Sequence, residues 1–313
     1  MLQNRDVVGE TVVSSTVSAG KANRKRVGFL NSHPIQYAAP LYAYIAQSTD
    51  IEPVALYLTD FSLRNAVDRQ FGQAINWDID LLAGYEHHFV GANFKTAQPY
   101  GFFGLATPAI VATIRRLKLD ALVLHGHNYA ANLLALAAAR TAGIPVFYKA
   151  ETHLELPRGS LKSNLRPLVL RALFSQMAGF LAIGTKNAAF YRSLGIEQAR
   201  ISHYPYTVDN DRFVAASTLT DEERRQKRAA LGLSPDRVTI LYASKLMRRK
   251  HPDDLLAAAQ RLAREGLPVE LLFVGTGELM DELRSRAAEE PALPVHFAGF
   301  VNQTDLPATY AAV

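Results

Sequence analysis

Between Leu241 and Leu256 the chain reads LYASKLMRRKHPDDLL, which sets Lys245, Arg248, Arg249 and Lys250 between an apolar run and Pro252. An apolar, β-branched run followed by a proline that can open a helix reads as a strand-to-helix turn. A helix N-terminus offers N–H groups without intrahelical partners and the positive end of a dipole, so cations gathered there suit a diphosphate. The same four charges also fit a solvated basic loop. One βα step later, FVGTGEL (Phe273–Leu279) supplies Gly275 and Gly277. Two glycines at that spacing let the backbone pass close to a ligand, or simply make a tight turn. HFAGFV, His296–Val301, ends a third strand of the same kind.

Other residues carry their own candidate chemistry. His125 and His127 lie two apart at a strand end, as a metal pair could, but the sequence supplies no third ligand. Asp78 and Asp80 in DID imitate a metal-binding D-x-D motif. No metal is expected. His33 in NSHPIQY and Glu151 in KAETH each fit a local structural role, His33 as a turn cap. The run RGSLKSNLRPLVLRALF carries Arg158, Lys162, Arg166 and Arg171 without an acid. It reads as a core-packed helix with one basic face, or as a patch for an anionic membrane surface.

These residues need a scaffold. With 313 residues the chain exceeds one ordinary core, so two domains are expected. Short β-branched runs (Val27–Leu30, Pro53–Leu58, Leu122–His125, Val146–Tyr148, Phe180–Ile183, Ile201–Tyr204, Val238–Ala243, Leu271–Val274, Val295–Phe297) alternate with helical stretches such as Pro108–Lys118, Ala130–Ala142 and Pro252–Glu265. That alternation predicts an α/β fold with parallel sheets covered on both faces. The turn-rich YPYTVDNDRF marks a boundary, giving domains over 25–208 and 209–313 that face a crevice at the carboxyl ends of their strands. Residues 1–24 have no continuous apolar stretch and read as a disordered tail rather than a secretory signal. No stretch of about 18 uncharged apolar residues is present to span a bilayer. The absence of cysteine excludes disulfides, thiolate zinc sites and cysteine nucleophiles, and fits a cytoplasmic setting. A net charge of +5 allows an anionic partner. Nucleic acid is disfavoured, because the basic residues are dispersed and the aromatics read as core.

Taken in order, SKLMRRKHPDDLLAAAQRL, ELLFVGTGEL and VHFAGFVNQTDLPATYAA resemble the second domain of the retaining glycosyltransferase family numbered four, whose fold is GT-B. That family's first motif is G-R-[LV]-x-x-x-K-G. Here Ser244 stands at the first Gly, Lys245 at the Arg, Lys250 at the Lys and His251 at the last Gly. NSHPIQYAAPLY, WDIDLLAGYEH and PYTVDNDRF are similar to the first domain of bacterial members that build surface polysaccharides of the cell envelope. The resemblance covers residues 25–313. It implies two Rossmann-like domains, with Lys245 and Lys250 on the donor diphosphate, Gly275 and Gly277 close to the donor, and Phe300 and Val301 near the nucleotide base. His127 matches a histidine facing the transfer point, and His33 and Glu151 fall on the acceptor side. Family members continue into an E-x7-E motif, so the second domain is expected to be incomplete here, truncated before that motif.

The implied activity moves a sugar, with retention, from a nucleotide diphosphate-sugar donor to a glycan or lipid-linked acceptor, with no cofactor and no metal. The expected setting is the cytoplasm, with peripheral contact on the inner face of an anionic membrane. Two other readings remain open at this point: a non-catalytic truncated remnant, and a sugar-nucleotide epimerase of the same fold.

Overall fold

The computed structural model describes residues 24–68, 72–154 and 166–313. In chain order its elements are β1 (Lys25–Asn31), α1 (Ala39–Ser48), β2 (Ile51–Tyr57), β3 (Val67–Asp68), β4 (Gln73–Ala74), β5 (Glu86–Phe89), α2 (Ala109–Leu117), β6 (Ala121–His125), α3 (Ala130–Thr141) and β7 (Val146–Lys149). There follow α4 (Arg166–Phe174), β8 (Gly179–Ala182), α5 (Thr185–Ser193), β9 (Ile201–His203), α6 (Asn210–Ser217) and α7 (Asp221–Ala230). The chain continues through β10 (Val238–Ala243), α8 (Pro252–Arg264), β11 (Val269–Val274), α9 (Met280–Ala288), β12 (Val295–Gly299) and α10 (Leu306–Ala311).

The chain divides into two compact units. The first holds the residues up to Phe61 together with Leu81–Val208; the second holds Ser62–Asp80 and Asp209–Val313. This corrects the expected continuous domain over 25–208, because residues 62–80 leave it and pack with the second unit. The physical reason is specific bonding. Asn302 Nδ2 donates to the Asn76 carbonyl at 2.7 Å, Thr304 N donates to the Asp78 carboxylate at 3.1 Å, and the rings of Trp77 and Phe300 lie 5.9 Å apart. The expected disordered tail over 1–24 lies outside the described residues except for Arg24, whose guanidinium donates to the carbonyls of Ala46 at 2.5 Å and Thr49 at 3.3 Å.

In the first unit seven strands form one parallel sheet in the order β5-β2-β1-β6-β7-β8-β9. Strands buried on both faces lose the period-two alternation. So β2 is buried continuously from Pro53 to Tyr57. Helix α2 buries Ile110, Thr113, Ile114 and Leu117, the one-stripe spacing of an amphipathic helix. After β1 the chain works outward through β2 and β5, and later returns to lay β6 on the opposite side of β1. The carboxyl ends of β1 and β6 are therefore a topological switch point, where open α/β sheets take ligands. The amino ends are tied down instead. Lys25 reaches Asp120 at 3.0 Å, and Arg26 bridges Glu52 and Glu86. A hydrogen bond from His88, helped by the Arg26 guanidinium, holds the Glu86 carboxyl down at about 2.

In the second unit β10, β11 and β12 form a parallel sheet, with β3 and β4 as a separate antiparallel pair. One face packs Leu246, Leu256, Leu271, Phe273 and Leu283; the other packs Leu233, Leu272 and Val274. Helix α7 starts on a capping box made by Thr220 and Glu223. Helix α8 has Pro252 at its start, Asp253 and Asp254 in its first turn, and Arg261 and Arg264 in its last, each sign matching the dipole. At the sheet centre Glu270 is fully buried. It accepts from Thr239 Oγ1 at 2.7 Å, Ser234 N at 3.0 Å and Arg228 Nη2 at 3.2 Å. Arg228 also donates to the Ala312 carbonyl at 3.0 Å, so one ion pair fastens α7 to the sheet and to the end of α10.

Removing one partner of such a pair leaves the other charge buried and unpaired. Glu270→Ala should therefore lower stability against urea by about 3–5 kcal/mol. A denaturation midpoint equal to that of the parent chain would contradict this account of how α7 is held.

Candidate functional site

In the second unit the carboxyl ends of all three parallel strands are laced together through their backbones. Gly275 N donates to the Gly299 carbonyl at 2.7 Å, Leu246 N to the Thr276 carbonyl at 2.9 Å, and Leu279 N to the Leu246 carbonyl at 3.0 Å. Loops this close exclude side chains at the crossing. A Cβ on Gly275 would lie 2.1 Å from the Ser244 carbonyl oxygen, and one on Gly277 would lie 2.4 Å from that of Leu246. Both glycines also have positive φ, +133° and +155°. The structure thus gathers Lys245, Gly275, Gly277, Phe300 and Val301 into one cluster of turns, as the sequence order required.

The four cations of the basic turn have different circumstances. Lys245 Nζ lies 3.1 Å from Asp68 Oδ2, contributed by β3. Arg248 pairs with Glu282 at 3.4 Å and is mostly exposed. Arg249 Nε points at the Met247 sulfur at 3.4 Å. The Lys250 side chain is exposed and makes no hydrogen bond or ion pair among the described residues, while its carbonyl accepts from Tyr242 OH at 3.0 Å. Lys245 is thus already engaged by a carboxylate, and Lys250 is available to an anion. His251, in the place of the family glycine, adopts the left-handed conformation, φ 52° and ψ 44°, immediately before α8. Asp78 and Asp80 also belong to this unit. Asp78 anchors the turn after β12, its carboxylate accepting from Thr304 N at 3.1 Å.

The first unit carries His33, His127 and Glu151. Asn132, buried in α3, donates to the carbonyls of both His125 and Gly126, which fixes the loop that bears His127. His127 Nδ1 lies 2.6 Å from Tyr148 OH, and burial, reinforced by the Arg166 charge, pulls its pKa below the ordinary value. When Tyr148 donates to Nδ1, the ring proton sits on Nε2, which leaves a neutral imidazole able to donate a hydrogen bond. His125 is committed elsewhere: Nδ1 donates to the Leu30 carbonyl at 3.1 Å, and burial, with the Lys149 charge second, pushes its pKa down to about 4. The two histidines are held by different partners, and among the described residues no three His, Asp or Glu side chains group to hold a metal ion. His33 Nδ1 contacts Ser32 Oγ at 2.9 Å, and its ring meets Phe61 edge-on at 6.0 Å. Glu151 accepts from the Tyr206 hydroxyl.

Lys149 and Asn31 escaped the sequence reading. Lys149 closes β7, buried, with Nζ 4.5 Å and 4.8 Å from the ring centres of Tyr204 and Tyr206. Burial lowers its pKa to about 8, partly offset by the Glu151 charge. Its signal was the lysine ending the apolar run VFYK, since lysine is almost never buried without a partner.

Comparison with known proteins adds the following. Residues 86–207 match the glycosyl transferase 4-like domain, and residues 223–313 match glycosyl transferases group 1. EpsF of Bacillus subtilis (strain 168) is 28% identical over 173 residues, covering 54% of this chain and 44% of that protein. The D-inositol 3-phosphate glycosyltransferase of Frankia alni is 30% identical over 148 residues, covering 45% of this chain and 35% of that protein. The chain thus spans less than half the length of these curated relatives. Among solved structures, Anabaena Alr3699/HepE in complex with UDP and glucose superposes with a TM-score of 0.63 at 18% identity, over 92% of this chain and 72% of that one. WaaG, a glycosyltransferase involved in lipopolysaccharide biosynthesis, gives 0.58 at 15% identity, over 92% and 73%. At these identities the likeness shows the fold, which is α/β and GT-B.

Two outcomes follow from this geometry. A non-glycine residue in the left-handed region is strained by about 1–2 kcal/mol, and glycine's extra unfolded-state freedom returns part of that, so His251→Gly should stabilise the chain by about 0.5–1 kcal/mol. A lower melting temperature for the variant would contradict it. His125 has a folded pKa near 4 against an ordinary 6.5, so the native state binds fewer protons than the unfolded state. Its contribution is complete above pH 6.5 and is lost as pH falls towards 4. Urea stability measured across that window should decline in the parent and flatten in His125→Asn; parallel slopes would contradict the assignment.

Proposed function

We propose that the chain acts as a glycosyltransferase, moving a sugar with retention from a nucleotide diphosphate-sugar to a glycan or lipid-linked acceptor. The observation that carries this reading is the laced cluster of strand ends bearing Lys245, Gly275 and Gly277 inside the segment that matches glycosyl transferases group 1. Both curated relatives are named as glycosyltransferases, and a neighbour of the same fold was crystallised with UDP-glucose.

In this reading the second unit takes the donor. Negative charge builds on the departing diphosphate, and preorganised cations there stabilise the transition state without reorganising. Lys250 is available for that role, and Lys245 shows by its contact with Asp68 that an anion fits its Nζ. Lysine at the family's arginine position keeps the charge but loses the two-pronged fork. Gly275 and Gly277 admit the donor to the backbone, with Phe300 and Val301 beside the base. His127, a neutral donor through Nε2, serves the transferring sugar, and His33 and Glu151 serve the acceptor. These side chains supply the charge compensation that a metal gives elsewhere. Peripheral attachment to an anionic membrane is the remaining part of the proposal. It rests on Arg166 and Arg171 of α4, which also exposes Leu168 and Val169. Arg158 and Lys162 lie outside the described residues. No helix among the described residues is long and apolar enough to cross a membrane.

Donor turnover should fall more in Lys250→Ala than in Lys245→Ala, with the Lys250 loss worth about 2–4 kcal/mol in rate. Matching turnover by Lys250→Ala and the parent would refute its diphosphate role. Asp68→Asn should tighten UDP several-fold, on the order of 0.5–1 kcal/mol, because the nucleotide no longer competes for Lys245; unchanged or weaker binding would separate Lys245 from the donor. Transfer should persist in EDTA, whereas loss on chelation with recovery in manganese would return Asp78 and Asp80 as ligands.

A further inference from the structure

At the switch point of the first unit, the carboxyl ends of β1, β6 and β7 and the segment after β9 enclose a cavity of about 140 Å3. About 15 Å3 suffices to admit a first water and each liquid water takes about 30 Å3, so there is room for several, the space a small polyhydroxylated ligand needs. Three polar side chains that line it, Asn31, Lys149 and His125, are left with unused hydrogen-bonding capacity. Asn31 is 3% exposed, and its Nδ2 is spent on the Phe29 carbonyl at 3.2 Å and the Tyr42 hydroxyl at 3.0 Å. The amide is thereby oriented, and its buried Oδ1 has no hydrogen-bond partner among the described residues. Lys149 Nζ rests on two tyrosine rings and makes no hydrogen bond or ion pair among the described residues. His125 donates through Nδ1 to a backbone carbonyl, which leaves Nε2 as an acceptor on a ring that is neutral at pH 7.

A buried acceptor and a buried ammonium without partners are each costly, and the contact of a cation with aromatic faces offsets only part of that cost. Such groups are satisfied when a ligand supplies the missing partners. The ligand must donate to Asn31 and His125 and accept from Lys149, which is what hydroxyl groups do from a single atom. Charge narrows the choice further. Lys149 and Glu151 both line the cavity, so an anion meets the carboxylate and a cation meets the ammonium. Ile35, Leu41 and the Tyr37–Tyr206 pair, whose rings meet edge-on at 5.3 Å, add an apolar wall suited to the C–H face of a ring. The geometry points to a subsite for one uncharged pyranose, with Lys149 and Asn31 as its recognition residues and Glu151 as the filter against anionic sugars. Naming that sugar the acceptor rests on the transferase reading; the chemistry of the cavity does not.

Saturation-transfer NMR on the 313-residue chain tests this, using the methyl glycosides of glucose, galactose, mannose and N-acetylglucosamine, methyl glucuronide as the anionic probe and UDP in the same tubes. At least one neutral glycoside should receive saturation. Lys149→Met should weaken that glycoside about tenfold, the usual loss for a hydrogen bond to a charged group. Glu151→Gln, a change at an exposed residue, should admit methyl glucuronide, which the parent refuses; this arm decides the matter if Lys149→Met melts early. No transfer to any neutral glycoside, equal binding by Lys149→Met, or a parent that prefers glucuronide would overturn the inference. Binding of UDP without any glycoside would sink the subsite and spare the donor reading; binding of a glycoside without UDP would do the reverse.

Discussion

The second unit depends on one steric constraint: three loops must come close enough to exchange backbone hydrogen bonds at the ends of β10, β11 and β12. Gly275 and Gly277 meet it, since any Cβ there would sit inside van der Waals contact of the Ser244 or Leu246 carbonyl. With the loops drawn together, cations from the first loop lie beside the backbone of the second and the turn of the third. The buried Glu270–Arg228 pair then holds α7 on the sheet that carries those loops. Stability and chemistry are separated along the strands, with Glu270 near the start of β11 and the glycines just past its end.

The first unit divides its labour in the same direction. Ion pairs to Lys25 and Arg26 fasten the amino ends of its strands, while the carboxyl ends bear the groups that burial perturbs. Those perturbations share a sense: desolvation holds His125 and His127 neutral, lowers Lys149 and raises Tyr37, Tyr204 and Tyr206. The switch point is therefore lined by neutral rings with Lys149 and Glu151 as opposed charges between them, a surface suited to a polyhydroxylated ligand more than to an ionic one.

Much of this was legible in the sequence where local pattern and tertiary context agree. Strand β10 runs over Val238–Ala243 as its β-branched run requires, and α8 opens at Pro252 as its proline and acidic first turn require. Strand β5 was hidden, because Glu86-His87-His88-Phe89 looks polar although both histidines are buried. The excursion of residues 62–80 was hidden too. It is held by bonds from Asn302 and Thr304, more than two hundred residues away in sequence, and Trp77 and Asp78 do not announce such partners. On the candidate site, sequence order found the glycines and cations of the second unit, since a strand-turn-helix repeat displays them in line. It missed Lys149 and Asn31, whose importance comes from four strands meeting in space.

The central claim is that the laced turns of the second unit receive the diphosphate of a nucleotide donor. A crystal structure of the chain soaked with UDP tests it most directly. The account predicts the diphosphate within hydrogen-bonding distance of Lys250 Nζ and of the backbone at Gly275 to Gly277, with Lys245 turned from Asp68 towards it. UDP bound elsewhere, with the Lys245–Asp68 pair intact and those turns empty, would contradict it.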